Sequence, residues 1–406
     1  MKLLFITDNF PPETNAPATR TYEHAKEWVK QGVEVTVITC APNFPQGKIY
    51  KGYKNRLYQK ETIDGIEVIR VWSYITANEG FAKRVADYLS FAFSAFWAGF
   101  FRDYDVIIAT SPQFFTTWTA AALSKIRRKP WIFELRDLWP ESIRTVGAMR
   151  KESRVLDWLE RVELWLYRDA DKVVAVTDAF KENLIARGID AAKIEVVTNG
   201  ANLDLYSPRE KDATLLRALG LEDKFIVGYI GTHGMAHSLD FIVSCLAKVK
   251  DPQIHFLFVG AGAVKKEIVR MAKELELDNV SFHEPVSKEE VPRYLSIIDV
   301  SLASLKKSDT FKTVIPSKIF EASAMGKPTL LGVEGQAQEI LESYRAGVCF
   351  TPEDETDFLE KLRSLKDDKA LYASCVEGCE KLAHDFDRKR LAEKMLDIIR
   401  KVDKKA

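Results

Sequence analysis

Short runs of apolar, largely β-branched residues alternate with stretches of helical period along the whole chain. In the first half KLLFIT, EVTVIT, EVIRV, DVIIAT, WIFEL, KVVAVT and IEVVTN read as strands; in the second FIVGYIG, IHFLFVG, VSFHE, VSLASL and PTLLG do the same. A strand that is apolar at nearly every position is buried on both faces, so the pattern predicts parallel sheets covered by helices on each side. With VCF at 348–350 the strands number about thirteen, too many for one small doubly wound sheet and right for two. The break falls in TNGANLDLYSPREKDATLLRALGLEDK, 198–224, dense in turn residues and charge. The expected fold is therefore α/β, with two Rossmann-like, doubly wound parallel-sheet domains facing each other across a cleft. The first would span 1–203, completed by a C-terminal helix at about 386–406, and the second 204–385.

YLSFAFSAFWAGFF, 88–101, is the longest uncharged run, and its fourteen residues fall short of the roughly 20 a bilayer span needs. On a helical wheel Leu89, Phe93, Phe96, Trp97 and Phe100 form a bulky face, and Ser90, Ser94, Ala95, Ala98 and Gly99 a small one. Either the helix simply packs on a sheet, or its bulky face also dips into a membrane surface beside Lys83 and Arg84.

Composition narrows the partners. The 406 residues carry 59 basic and 59 acidic side chains, so no nucleic acid or other bulk polyanion is implied. Cys40, Cys245, Cys349, Cys375 and Cys379 are an odd, scattered set, which reads as free buried thiols in a reducing compartment. MKLLFITDNF reads as a strand and not as a signal peptide. The expected location is the cytoplasm, up to the inner face of the plasma membrane.

In doubly wound folds ligands bind outside the carboxyl ends of the strands, and four loops there carry chemistry. DNFPPETNAPATRTYEHAKEW delivers Arg20 into the start of a helix, where a cation can meet phosphate or simply lie on the surface. ELRDLWPES clusters Arg136, Asp137 and Glu141 beside Trp139 and Pro140, as a working site or as a structural salt-bridge group. GYIGTHGMAHSLD supplies a glycine-rich strand end with Thr232, His233 and His237, and FVGAGAVKKEI a second such turn. The latter, with Gly260, Gly262 and Glu284, admits a nicotinamide cofactor, but Lys265 stands where the third glycine belongs. Walker, G-x-S-x-G and H-E-x-x-H motifs are absent.

IPSKIFEASAMGKP, 315–328, is the remaining candidate. Pro316 suits a first helical position, the amides of Ser317 and Lys318 then face the positive end of the dipole, and Glu321 follows a turn later. An ordinary helix ending before Gly326 has the same pattern, so these residues alone leave both readings open.

Taken together, the paired domains, the TNGANLDLYSP junction, VSFHEPVSKEEVPRYLSIIDVSLASL and SKIFEASAMGKP resemble the retaining glycosyltransferases of family 4, with the GT-B fold, over essentially the whole chain. PPETNAPATR, PNFPQGKIYKGY and LRDLWPES are similar to the bacterial branch that adds sugars such as N-acetyl-L-fucosamine to lipid-linked intermediates of surface polysaccharides, lipopolysaccharide and capsule among them. The resemblance implies a metal-independent enzyme with no cofactor, taking a UDP-sugar donor and a lipid-linked or saccharide acceptor. It also exposes departures. Of the family's two glutamates, E-x7-E, the second matches Glu321 but the first falls on Thr313; the diphosphate-holding arginine and lysine fall approximately on Thr232 and His237.

A leaving diphosphate still needs its charge stabilised. Lys318, or Lys312 beside it, is the expected replacement, with Arg20 reaching from the opposite domain. The implied donor site comprises Gly231, Thr232, Val286 against the base, Ser317, Lys318, Glu321 on the ribose, Arg20, Asn15 and Ala16. Asp137 and Arg136 would orient donor sugar or acceptor, although the family commonly has a histidine where Arg136 falls. A catalytically silent sugar-nucleotide-binding protein and an NAD-dependent enzyme are the alternatives.

Overall fold

A computed structural model describes residues 1–44, 46–76, 81–111, 114–138 and 154–404, which leaves Trp139, Pro140 and Glu141 outside the described residues. The chain forms two compact units, Met1–Asn199 with Lys389–Ala406, and Gly200–Arg388. Both are α/β with sheets parallel at every pairing but one.

In the first unit the strands are β1 (Lys2–Ile6), β2 (Glu34–Cys40), β3 (Tyr58–Ile63), β4 (Ile66–Val71), β5 (Val106–Thr110), β6 (Trp131–Leu135), β7 (Lys172–Ala175) and β8 (Ile194–Val196). They lie in the order β3-β4-β2-β1-β5-β6-β7-β8. Side chains alternate between the sheet's faces with a period of two, and each face carries its own core. Leu3 and Phe5 of β1, with Val106 and Ile108 of β5, pack under the helices Ala16–Lys30 and Arg388–Asp403. Leu4, Ile6, Ile107 and Ala109 pack against the helices Phe81–Phe100, Phe114–Arg127 and Arg154–Asp169 on the other face. The carboxyl-terminal helix is tied in where Trp28 Nε1 donates to the Ala392 carbonyl at 2.8 Å.

Strand β3 was not among the expected strands, and its burial explains why. It alternates exposed and half-buried positions, carries Lys60 and Glu61, and pairs antiparallel with β4 at the sheet edge. The readable signal lay in its turn: Asp64 (φ 46) and Gly65 (φ 81) both adopt the left-handed conformation of a two-residue hairpin, for which Asp-Gly is a favoured pair.

The Phe81–Phe100 helix lies with its small face inward. Ala95 is fully buried, and a Cβ on Gly99 would stand 2.7 Å from Leu123 Cδ1 and 3.3 Å from Leu4 Cδ2, so the helix sits close on its neighbours. Phe96 and Phe100 pack at the margin of the core, whereas Leu89, Phe93 and Trp97 are exposed.

The second unit holds β9 (Phe225–Ile230), β10 (Ile254–Val259), β11 (Val280–His283), β12 (Val300–Ser304), β13 (Thr329–Gly332) and β14 (Gly347–Cys349), in the order β11-β10-β9-β12-β13-β14. The order reverses between β9 and β12 here, and between β1 and β5 in the first unit. Carboxyl ends at such reversals are where this class of sheet opens a binding crevice.

Candidate functional site

At the carboxyl end of β9 the chain turns at Gly231, whose φ of 140 is open only to glycine. Its amide donates to the Val259 carbonyl at 2.9 Å, and a Cβ on neighbouring Gly260 would collide with the Gly231 carbonyl. The loop that follows is pinned at both ends. Tyr229 Oη donates to the Thr232 carbonyl at 2.7 Å, His233 exchanges backbone hydrogen bonds with Ala261 and Val264, and Ser304 Oγ donates to the His237 carbonyl at 2.7 Å.

Into this turn reaches Lys318, the first residue of the helix Lys318–Ala324. A Cβ on Gly231 would stand 2.9 Å from its Cε and 3.2 Å from its Nζ, so side chain and turn are in contact. The Nζ lies 3.1 Å from the centre of the Tyr229 ring, shut from solvent, with no hydrogen-bond partner among the described residues. Burial drives its pKa well below the usual lysine value, against the pull of Glu321. The Tyr229 face supplies partial compensation through its quadrupole.

Two histidines share the turn. His233 is fully buried with both ring nitrogens unpartnered among the described residues, and burial followed by Lys265 and Lys318 lowers it to about 4. His237 is lowered by burial and then by Lys318. Both rings are held toward neutrality, so the Lys318 amine is the group in the turn that an arriving anion can hold as an ammonium.

Lys312 differs. Its exposed Nζ pairs with Asp309 at 2.8 Å and stands 3.8 Å from Glu334. Thr313 donates to the Thr310 carbonyl at 3.1 Å, and Thr232 is exposed. Val286, in the loop after β11, is half-buried, and neither its amide nor its carbonyl makes a backbone hydrogen bond among the described residues. Pro316 stands ahead of the helix and Ser317 is its cap, so the expected proline-led first turn is corrected: Ile319 N donates to the Pro316 carbonyl at 3.2 Å. With only seven residues in the helix, the contribution here comes chiefly from the Lys318 side chain.

In the first unit the strand-end residues gather around β1, β5 and β6. Asn15 caps the helix Ala16–Lys30, Oδ1 accepting from Ala18 N at 3.0 Å and Nδ2 donating to Asn9 Oδ1 at 2.6 Å; Ala16 is exposed at the helix start. Arg136 donates to the Pro17 carbonyl at 3.2 Å, and Ser111 Oγ accepts the amides of Arg136 at 2.8 Å and Asp137 at 3.3 Å. Asp8, which the sequence reading passed over, sits at the same place. Burial lifts it to about 6, Asn9 and Arg136 opposing and Asp87 adding. Its signal was an acid directly after an apolar strand at the order reversal.

Arg20 corrects another expectation. It is buried, its Nε 2.9 Å from Glu134 Oε1, its Nη2 2.8 Å from the Val197 carbonyl and its Nη1 2.5 Å from that of Thr198. Burial raises Glu134, but Arg20 and Arg136 outweigh it and hold the carboxyl below its usual value. A guanidinium committed in this way braces the end of the sheet and is not placed to receive phosphate.

The nicotinamide reading also fails on geometry. Lys265 Nζ pairs with Glu284 Oε1 at 2.8 Å and donates to the His283 carbonyl at 2.8 Å, so a lysine claims the acid that would hold a ribose. All five cysteines are free, and no cluster of metal-ligating residues exists among the described residues.

Two family models divide the chain: a glycosyl transferase 4-like domain over 15–200 and glycosyl transferases group 1 over 213–382. A candidate colanic acid biosynthesis glycosyl transferase of Escherichia coli K12, WcaI, is 25% identical over 364 residues, 87% of this chain and 89% of its own. Among solved structures, HepE of Anabaena in complex with UDP and glucose superposes with a TM-score of 0.73 at 19% identity, covering 99% of this chain and 100% of that one. Sucrose-phosphate synthase of Thermosynechococcus elongatus gives 0.78 at 18% identity, over 100% of each.

Proposed function

The chain belongs to the GT-B glycosyltransferases, a glycosyl transferase 4-like domain joined to a group 1 domain, and we propose that it moves a glycosyl group from a UDP-sugar to an acceptor hydroxyl in the building of a surface polysaccharide. The observation that carries this reading is Lys318 Nζ, buried and unpartnered among the described residues in the glycine turn at the end of β9. Burial alone disfavours the charge on this amine, and a diphosphate brings the anion that would hold it as an ammonium. The E. coli relative's name supports the polysaccharide assignment, and the Anabaena structure's UDP supports the nucleotide.

The transfer is retaining and needs no metal. The bond between the anomeric carbon and the β-phosphate oxygen breaks while the acceptor oxygen bonds to the same face. The leaving phosphate oxygen takes the acceptor's proton, and Lys318 stabilises the charge left on it. Glu321 accepts from the ribose hydroxyls, Val286 meets uracil through its backbone, and Asp137 and Arg136 orient the saccharide or lipid-linked acceptor. An N-acetylated deoxysugar is the donor class we assign.

Glu321→Gln should weaken UDP and uridine alike, because the ribose is common to both; calorimetric titration of the two ligands checks it. Proton NMR of the fresh product should show the donor's anomeric configuration. An inverted anomer would remove the retaining course, while failure of UDP to bind at all would remove the donor assignment.

A further inference from the structure

The turn that leaves β10, with Gly260 and Gly262, has the look of a dinucleotide cradle, yet Lys265 holds Glu284 and the cradle is closed. Its glycines answer to their neighbours instead. Strand β10 lies between β9 and β11, so the turn at its carboxyl end stands between two others. One is the turn 231–237 after β9, where Lys318 lies against Gly231; the other is the loop 283–286 after β11, which ends on Val286. With adjacent strands about 4.8 Å apart, roughly 10 Å separates the outer two, a span of the order that divides a pyrimidine from the second phosphate of its nucleotide.

Toward β9 the packing leaves no room for a side chain. A Cβ on Gly260 would stand 1.9 Å from the Gly231 carbonyl oxygen and 3.2 Å from His233 Nε2, and one on Gly262 would stand 2.3 Å from the His233 carbonyl oxygen and 2.9 Å from its amide nitrogen. The His233 amide donates to the Ala261 carbonyl at 2.9 Å and the Val264 amide to the His233 carbonyl at 3.1 Å, so the two turns are closed on each other backbone to backbone. Toward β11 the same turn is tied twice to one carbonyl. The Gly260 amide at 3.2 Å and Lys265 Nζ at 2.8 Å both donate to that of His283, and Lys265 Nζ also pairs with Glu284 Oε1 at 2.8 Å. Neither outer turn can shift without straining the middle one.

We infer that this turn is the spacer of the donor site: Gly260, Gly262 and Lys265 fix the separation between the loop that meets uracil and the turn that meets the diphosphate. The site thereby selects a ligand in which a pyrimidine and a diphosphate are joined at the distance a nucleoside diphosphate provides. The inference rests on the donor assignment made above. All three are positioning residues, which act through His233, Gly231 and His283 and need not touch the ligand. Two half-sites held at the right separation bind the joined ligand far better than either half, because the second contact becomes intramolecular. A wrong separation removes that advantage and leaves each half-site its own affinity.

Gly262→Ala, whose Cβ meets the His233 peptide, tests it by forcing the diphosphate turn away from the base loop. A displacement of about 1 Å in a site of fixed geometry costs about a hundredfold, and UDP affinity in calorimetry should fall by about that factor. Uridine and inorganic pyrophosphate, each followed alone by ligand-observed NMR, should bind within about twofold of the wild type, since neither spans the two half-sites. Lys265→Met removes both ties to 283–284 without touching the backbone. It should lower UDP affinity about tenfold with pyrophosphate unchanged, and it carries the test should Gly262→Ala melt below the wild type. A folded variant of either kind that binds UDP as the wild type does would overturn the inference. So would a loss of uridine or pyrophosphate in Gly262→Ala as large as its loss of UDP, because the turn would then build one half-site and not set the distance between two. Wild-type chain that binds no UDP would remove the donor assignment, and this inference with it.

Discussion

Arg20 and the Lys318 amine are both buried at a sheet end, one in each unit, and the two are held in opposite ways. Arg20 in the first unit has Glu134 at 2.9 Å and carbonyls at 2.8 and 2.5 Å. Lys318 in the second has a tyrosine face and no hydrogen-bond partner among the described residues. A fully compensated buried pair is a structural brace, whose loss of one member leaves the other charge stranded. A buried amine without a hydrogen-bonded acid favours its neutral form and is ready to be held as an ammonium by an anion that arrives later. From the sequence both were phosphate candidates, and partner geometry separates them.

The comparison breaks first at Arg20. Arg20→Ala should cost about 3–5 kcal/mol of stability, read as a lower urea midpoint, because Glu134 remains buried without its counter-ion. The loss should shrink when Glu134→Leu accompanies Arg20→Met. Because Glu134 is held below its usual value in the fold, its contribution is complete above the unfolded carboxylate range and fades as pH falls through the folded value. A protein whose midpoint ignores Arg20→Ala would show that the brace carries no load.

Lys318 should behave in the reverse manner. Lys318→Met keeps the stem and removes the charge, so stability should hold or rise, while UDP affinity falls about ten- to a hundredfold, the worth of one charge-assisted hydrogen bond. Uridine should bind as before, having no diphosphate to lose. Equal losses for the two ligands in calorimetry would place the side chain elsewhere in the donor site.

How far these roles were legible in the sequence depends on what each needed. The central strands announced themselves because a parallel strand buried on both faces leaves a continuous hydrophobic run; β3, exposed at an edge, leaves none and had to be sought in its Asp64-Gly65 turn. Gly231 and Thr232 stood out at the end of such a run, and Lys318 beside Pro316. What could not be read was pairing across 114 positions, Arg20 to Glu134, or the approach of Lys318 to a tyrosine 89 residues earlier. Asp8 stayed unnoticed because its character comes from burial, which one carboxylate in a polar loop does not reveal.

The depressed pKa of Lys318 gives UDP binding a pH dependence that a permanently charged group would not. In the free protein burial favours the neutral amine; a bound diphosphate favours the ammonium, so UDP binding takes up a proton. Between the free-protein value and the higher bound value, UDP affinity should fall as pH rises, by at most tenfold per unit, and below the free-protein value it should be flat. Calorimetry in buffers of different ionisation heat reads the uptake directly. Lys318→Arg, charged throughout, should abolish the slope.

The smallest effect is expected at Lys312, six residues earlier in sequence. Its ammonium already has Asp309 at 2.8 Å and Glu334 at 3.8 Å, both in contact with water, and the pairing with Asp309 raises its pKa. Exposed pairs of this kind add little to stability, and a lysine drawn to a phosphate would have to give up its two acids. Lys312→Ala should therefore change UDP affinity by less than about threefold, in either direction, and leave the urea midpoint in place. A loss matching that of Lys318→Met would mean that the surface lysine, not the buried one, meets the diphosphate, and that an unpartnered Nζ beneath Gly231 is no guide to where the leaving group is held.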